Sequence, residues 1–162
     1  MAAGSEKLLD AMTDVSRHLL RLMTQCLDQL PEEDQVSATQ YRALAALAQR
    51  GPRNATVLAE ELVVGRPAAT KLVDRLVRRR LIRRKRHPGD RRQVILEVTD
   101  HGAEIVRAVQ QCRRRRLARV LSEVDPEARD ALERDLPALL AAFSSTGRVP
   151  GRAPETVGAK QP

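Results

Sequence analysis

The sequence predicts a mainly α-helical fold with a small β-wing, a winged helix-turn-helix flanked by N- and C-terminal dimerisation helices. Three observations lead there. Apolar residues recur at helical spacing through most of the 162-residue chain, as in Leu8, Met12, Val15, Leu19 and Leu22. After Leu81 the period drops to two, with Val94, Leu96 and Val98 on one side beyond a Pro88-Gly89-Asp90 break; residues 81–87 and 93–99 read as a hairpin. The charge is also concentrated: residues 65–92 hold 12 Lys or Arg against 2 Asp, while the whole chain sums to +8 and the remainder to −2. A cationic helix followed by a cationic-tipped hairpin is the footprint of a polyanion binder, because each phosphate neutralised releases counterions. A merely solvated surface would scatter mixed charges over all elements.

Each element has its own signal. Residues 6–30 form a long amphipathic helix whose seam runs Leu8, Met12, Val15, Leu19, Leu22, Cys26; a second stripe, Leu9, Ser16, Leu20, Met23, Leu27, widens it. Two apolar faces outside the reading unit need a cover, and a second subunit is the expected one. Residues 31–35 are an acidic linker. The winged helix-turn-helix spans 36–99. Its first helix opens with a capping box, Ser37 and Gln40, stapled by Val36 and Tyr41, buries Tyr41, Leu44, Ala45 and Leu47, and stops near Gly51-Pro52. Asn54 caps a short helix with Leu58, Ala59 and Leu62 inward. A turn through Val64 and Gly65 enters the basic helix, with Ala69, Leu72, Val73, Leu76 and Val77 inward and Arg66, Thr70, Lys71, Asp74, Arg75 and Arg78 outward.

Thr99 starts a further long helix with Asp100 in its first turn; Ile105, Val106, Val109, Cys112, Leu117, Val120 and Leu121 mark its buried side. Asp125-Pro126-Glu127 restarts a last helix, which Pro137 is expected to kink. Residues 100–143 are thus C-terminal dimerisation helices, and 144–162, rich in Gly, Pro and small polar residues, reads as a disordered tail.

Composition narrows the partner. Aromatic residues are 1% of the chain, too few for the stacking platforms that hold single strands, so double-stranded DNA is the expected polyanion. The N-terminus shows no secretory pattern and no apolar run spans a membrane, which points to the cytoplasm. Two cysteines far apart in sequence suggest a reducing compartment and no disulfide framework. No nucleophile elbow, phosphate loop or paired-carboxylate motif is present, so no enzymatic activity and no cofactor are expected.

The order of elements resembles the MarR (multiple antibiotic resistance regulator) family of bacterial transcription factors. The run Asp90-Arg91-Arg92-Gln93-Val94-Ile95-Leu96-Glu97-Val98-Thr99 is similar to its wing signature. Residues 58–62 and 66–76 resemble its two helix-turn-helix elements, and 39–44 the start of its second helix. The likeness implies a homodimer binding a palindromic operator. Arg66, Pro67, Ala68, Thr70 and Lys71 would face major-groove edges and nearby phosphates; Arg92 would enter the minor groove, braced by Asp90. Thr56 would contact a phosphate at a helix N-terminus, and Arg75, Arg86 and Arg91 complete the DNA-binding set. Such proteins can take a small-molecule effector between the dimer helices and the winged helix; His18, Leu22, Met23, Tyr41, Leu44 and Val109 could line that cleft. Val63 stands where relatives often have Gly or Asn. Because a β-branched residue disfavours positive φ, the turn is expected to bend at Gly65.

Other candidates have plainer readings. Cys26 could sense redox state, as the first-helix thiol of some relatives does, but its place on the apolar seam favours an inert buried thiol. Cys112 lies on a buried stripe too. The three histidines form no metal-ligand spacing, so no metal is expected. Asp14 and His18, one turn apart, read as a helix-surface pair. Four consecutive arginines, Arg113 to Arg116, cannot share one face; most should be solvated or pair with Glu123, Glu127 or acids of the first helix. The rival functions are a non-specific architectural DNA protein, a thiol-based redox-sensing regulator, and an Arg-rich surface that docks an acidic protein.

Overall fold

The computed structural model describes residues 3–87, 89 and 93–146. The chain divides into two compact units, residues 1–118 and 119–162. In the first, α1 (Ala3–Asp28) leads through a 3-10 turn (Glu32–Asp34) into α2 (Ala38–Arg50), α3 (Ala55–Leu62) and α4 (Arg66–Arg78). The hairpin β1 (Ile82–Arg86) and β2 (Val94–Val98) follows, then α5 (Asp100–Ser122), whose last turn lies in the second unit with α6 (Pro126–Thr146).

The caps act as local rules require. Ser37 Oγ accepts from the Gln40 amide at 3.2 Å while Gln40 Oε1 accepts from the Ser37 amide at 2.8 Å, closing the capping box. Asn54 Oδ1 takes the Val57 amide at 2.9 Å, and Thr99 Oγ1 takes the Gly102 amide at 3.1 Å. Asp125 Oδ2 accepts from the amides of Glu127 and Ala128 at 3.0 and 3.2 Å. The core gathers Cys26 and Leu27 of α1, Tyr41, Leu44 and Leu47 of α2, Leu58 and Leu62 of α3, Val73 and Leu76 of α4, Leu96 of β2, and Ile105, Val106 and Val109 of α5. Ala43, fully buried, joins them beyond the sequence expectation. On α5 the buried stripe ends at Cys112, and Val120 and Leu121 are exposed.

Several expectations are corrected. Cys26 and Cys112, 86 residues apart, form a disulfide with Cα atoms 5.8 Å apart, because α1 packs against α5 at that level. The turn before α4 bends at Val63, not Gly65: Val63 has φ 55° and Gly65 φ −65°. The reason is the helix end. The Val64 amide bonds back to Ala59 O at 3.0 Å, and that closure needs a left-handed residue at position 63. At 83% exposure Val63 has little packing to offset the strain, so Val63→Gly should raise stability by about 0.5–1 kcal/mol, read by denaturant titration. Arg80 repeats the device after α4 with φ 57°. The acidic linker contains a 3-10 turn, and α6 runs on through Pro137 to Thr146, into the stretch expected as tail. The remainder of the tail, 147–162, lies outside the described residues.

Smaller pairings also differ. The Asp14 carboxylate meets Arg17 at 2.7 Å, and His18 Nδ1 meets the Asp14 backbone carbonyl at 2.8 Å. Arg116 donates to Gln25 Oε1 at 2.7 Å, an amide of α1 and not an acid.

Gly102 holds the wing against α5. A Cβ there would collide with the Leu81 carbonyl oxygen and come within 2.9 Å of Val98 Cγ2. Both neighbours are held by the sheet and by Thr99, whose hydroxyl donates toward Arg80 O at 2.8 Å and Leu81 O at 3.0 Å. Gly102→Ala should therefore destabilise by about 1–3 kcal/mol, visible as a lowered denaturation midpoint.

Candidate nucleic-acid interface

α4 is positioned by its apolar stripe. Ala69, Val73 and Leu76 are buried against the core, which leaves Arg66, Pro67, Ala68, Thr70, Lys71, Arg75 and Arg78 exposed on the other face. Gly65 caps the helix with extended backbone, and Pro67 sits in the first turn, where a missing amide proton costs nothing. The Thr70 hydroxyl donates to Arg66 O at 3.1 Å, so its methyl and remaining lone pairs face outward. Arg66, Lys71, Arg75, Arg78 and Arg86 make no ion pair among the described residues. Exposed cations of this kind are the type of group that contacts phosphates and base edges. Thr56 is exposed in the first turn of α3, beside the Asn54 cap, where amide protons point outward.

The hairpin is anchored at two points, and the end of α4 at a third. Arg53, just after Pro52, pairs with Leu96 through two backbone bonds of 3.2 and 2.8 Å, tying the sheet to the start of the helix-turn-helix. Asp74 on α4 meets Arg84 on β1 at 2.5 Å, bracing the reading helix to the wing. Arg79, at the C-terminus of α4, donates to Gln35 O at 2.5 Å and Glu33 O at 2.8 Å. Sequence reasoning missed Arg53, Arg79 and the Asp74–Arg84 brace, since each partner lies on another element. Asp90, Arg91 and Arg92, expected at the wing tip, lie outside the described residues.

Glu97 is the other residue missed. The register sets Arg83 directly across from it, and Lys85 is two residues along β1 on the same face. Glu97 Oε2 accepts from Arg83 Nε at 2.7 Å and Lys85 Nζ at 2.6 Å. Hydrogen bonds from Arg83 and then Lys85 hold its carboxyl down at about 2, and the same hydrogen bond raises the Arg83 guanidinium. A lowered carboxyl stabilises the wing above the ordinary carboxylate range, and that support is lost as pH falls toward about 2. At neutral pH Glu97 therefore neutralises part of the wing. Glu97→Gln should raise affinity for any duplex, operator or random, and steepen the log–log salt dependence by roughly 1–2. Titration of binding against salt reads both.

The proposed effector-cleft residues are not together on one open surface. Tyr41, Leu44 and Val109 are core, Leu22 and Met23 half-buried, and His18 exposed. A hollow of about 240 Å³ lies instead between α2, β2 and α5, lined among others by Gln49, Val98, Val106, Arg107 and Gln110. No group of three or more metal-ligating side chains occurs among the described residues, and none of their helices is long and apolar enough to cross a membrane.

Comparison with known proteins agrees with this geometry. A family model described as MarR family matches residues 34–93. An uncharacterised HTH-type transcriptional regulator of Mycobacterium leprae is 32% identical over 120 residues, 74% of this chain and 83% of the relative. The HTH-type transcriptional repressor NicR of Pseudomonas putida is 32% identical over 127 residues, 76% and 77% of the two chains. Among solved structures, RV1404 from Mycobacterium tuberculosis superposes with a TM-score of 0.76 at 33% identity, covering 88% of this chain and 94% of that one. A MarR family protein from Bacillus stearothermophilus gives a TM-score of 0.78 at 24% identity, covering 89% and 99%.

Proposed function

Because the chain belongs to the MarR family of DNA-binding, winged helix-turn-helix transcriptional regulators, we propose that it is a homodimeric repressor of a pseudo-palindromic operator, released by a small-molecule effector. The observation that carries this reading is the exposed cationic face of α4, without an ion pair among the described residues, beside a braced basic wing. The pairing into a dimer is supported by apolar stripes left open on the terminal helices. Leu8, Leu9, Val15 and Leu20 are exposed on α1, as are Leu132, Leu136, Leu140 and Phe143 on α6. Apolar stripes of that length call for a cover, and a second copy supplies one symmetrically. Residues 6–30 and 100–143 are then the dimerisation helices, and half-sites lie about one helical turn apart.

Repression is the action named for the Pseudomonas relative, and it suits a dimer that occupies DNA until an effector intervenes. The effector acts by favouring a dimer whose reading helices no longer match the half-site spacing. Selection of bound sequences from a random duplex pool tests the whole reading. A recovered palindrome bound about 10³-fold or more over random duplex is the expected result. Equal binding to all sequences would leave an architectural DNA protein instead.

A further inference from the structure

We propose that Val63 is a specificity-determining residue, its isopropyl group seated against the 5-methyl group of a thymine in each half-site of the bound duplex. The contact deepens, and rests on, the proposed operator binding, and gives part of the sequence preference to a residue outside the cationic face of α4.

Three observations carry it. The first is a backbone that the side chain makes costly. Val63 has φ 55° and ψ 49°, the left-handed region, where the Cβ of an L-residue crowds a carbonyl and a branched Cβ is worst placed. Two non-glycine residues with positive φ occur among the described residues, Val63 and Arg80, and of these Val63 is the β-branched one. A glycine would close the end of α3 through the same bonds, the amide of residue 63 to Glu60 O at 3.1 Å and the Val64 amide to Ala59 O at 3.0 Å, without that strain. Backbone strain of this kind is concentrated at sites of function.

The second is that the fold makes little use of the side chain. Val64 packs against the core, whereas Val63 is 83% exposed, more than any other large apolar side chain among the described residues. Packing within the subunit therefore offsets little of the strain.

The third is its place. Val63 stands three residues before Arg66, where α4 begins, so their Cα atoms are at most about 11 Å apart. A reading helix meets base edges with its N-terminal residues, and the turn leading into it is carried to the groove with them. Gly65, Arg66, Pro67 and Ala68 are exposed there as well. Residues 63–68 thus present an apolar surface with a single cation on it, Arg66. Arginine matches phosphates and guanine edges; the apolar group that a base pair offers in the major groove is the thymine methyl. An isopropyl group brought to that groove has this methyl as its chemical match. Sugar carbons would also cover it, but they carry no sequence information.

The test uses the full chain and the duplex selected from the random pool. Each thymine is replaced in turn by deoxyuridine, which lacks the 5-methyl group and keeps every hydrogen-bonding atom. At one thymine in each half-site, replacement should weaken binding of the parent about 4-fold, the factor for one buried methyl group. Val63→Gly should bind the unmodified duplex roughly 10–20-fold more weakly, both half-sites losing the contact, and lose nothing further on that replacement. Its denaturation midpoint should rise all the same, and weaker binding by a more stable protein excludes misfolding as the cause. Val63→Ile, which keeps a branched apolar side chain, should retain the methyl sensitivity. Thymine methyl groups that matter equally to the parent and to Val63→Gly, or to neither, overturn the proposal and leave the operator reading standing. Equal weakening of Val63→Gly on selected and random duplex overturns it too, since the side chain would then touch only the sugar-phosphate backbone. A pool that yields no preferred sequence sinks the operator reading, and the thymine contact with it.

Discussion

Replacing Arg66, Lys71 and Arg75 together by alanine should lower affinity for the selected duplex by at least about 100-fold, since each such side chain contributes about 1–3 kcal/mol. The log–log salt slope should fall by roughly 3, one for each phosphate that is no longer neutralised. All three residues are exposed on α4 and make no ion pair among the described residues, so removing them leaves the core untouched. Stability should therefore stay within about 0.5 kcal/mol of the parent, which separates weakened binding from failed folding. Fluorescence anisotropy at several salt concentrations, with a thermal melt alongside, decides the matter. An unchanged slope would mean that the cationic face of α4 does not meet phosphates.

Opening the Cys26–Cys112 bond should reduce stability by about 4.5 kcal/mol, the loop-closure entropy expected for a separation of 86 residues. For a chain of this size that corresponds to a fall of roughly 10–18 °C in Tm. The experiment is a melt with and without a dithiol reductant. A Cys26→Ser/Cys112→Ser variant should melt near the reduced protein and ignore the reductant, with Gln29 Oε1 available to accept from the hydroxyl introduced at 112. Identical melts of the parent in both states would show that the bond contributes nothing to the folded protein.

Much of the fold was legible because its signals act over a few residues. Ser37 and Gln40 meet across one helical turn, Asn54 and Thr99 each reach an amide three residues on, and Val94 to Val98 form a single strand. The reading face was legible for the same reason. Helical spacing sends Lys71, Arg75 and Arg78 to one side whatever the rest of the chain does. Glu97 could have been found once the hairpin was aligned, since the register puts Arg83 opposite it, yet a strand residue gives no hint of its partner when read alone.

What local chemistry settled is therefore which segments are helix or strand, how they are capped, and which face of α4 is cationic. Packing settled the remainder. It brought Cys26 to Cys112, set Arg79 on carbonyls 44 and 46 residues away, and put the left-handed turn at Val63 although Gly65 stood two residues on. Those outcomes depend on how whole helices seat against one another, and a helix end must close where its neighbour stops it, even on a residue that strains to comply. Periodicity and capping have a range of about one turn. Pairings across the core are decided by the shape of everything between them.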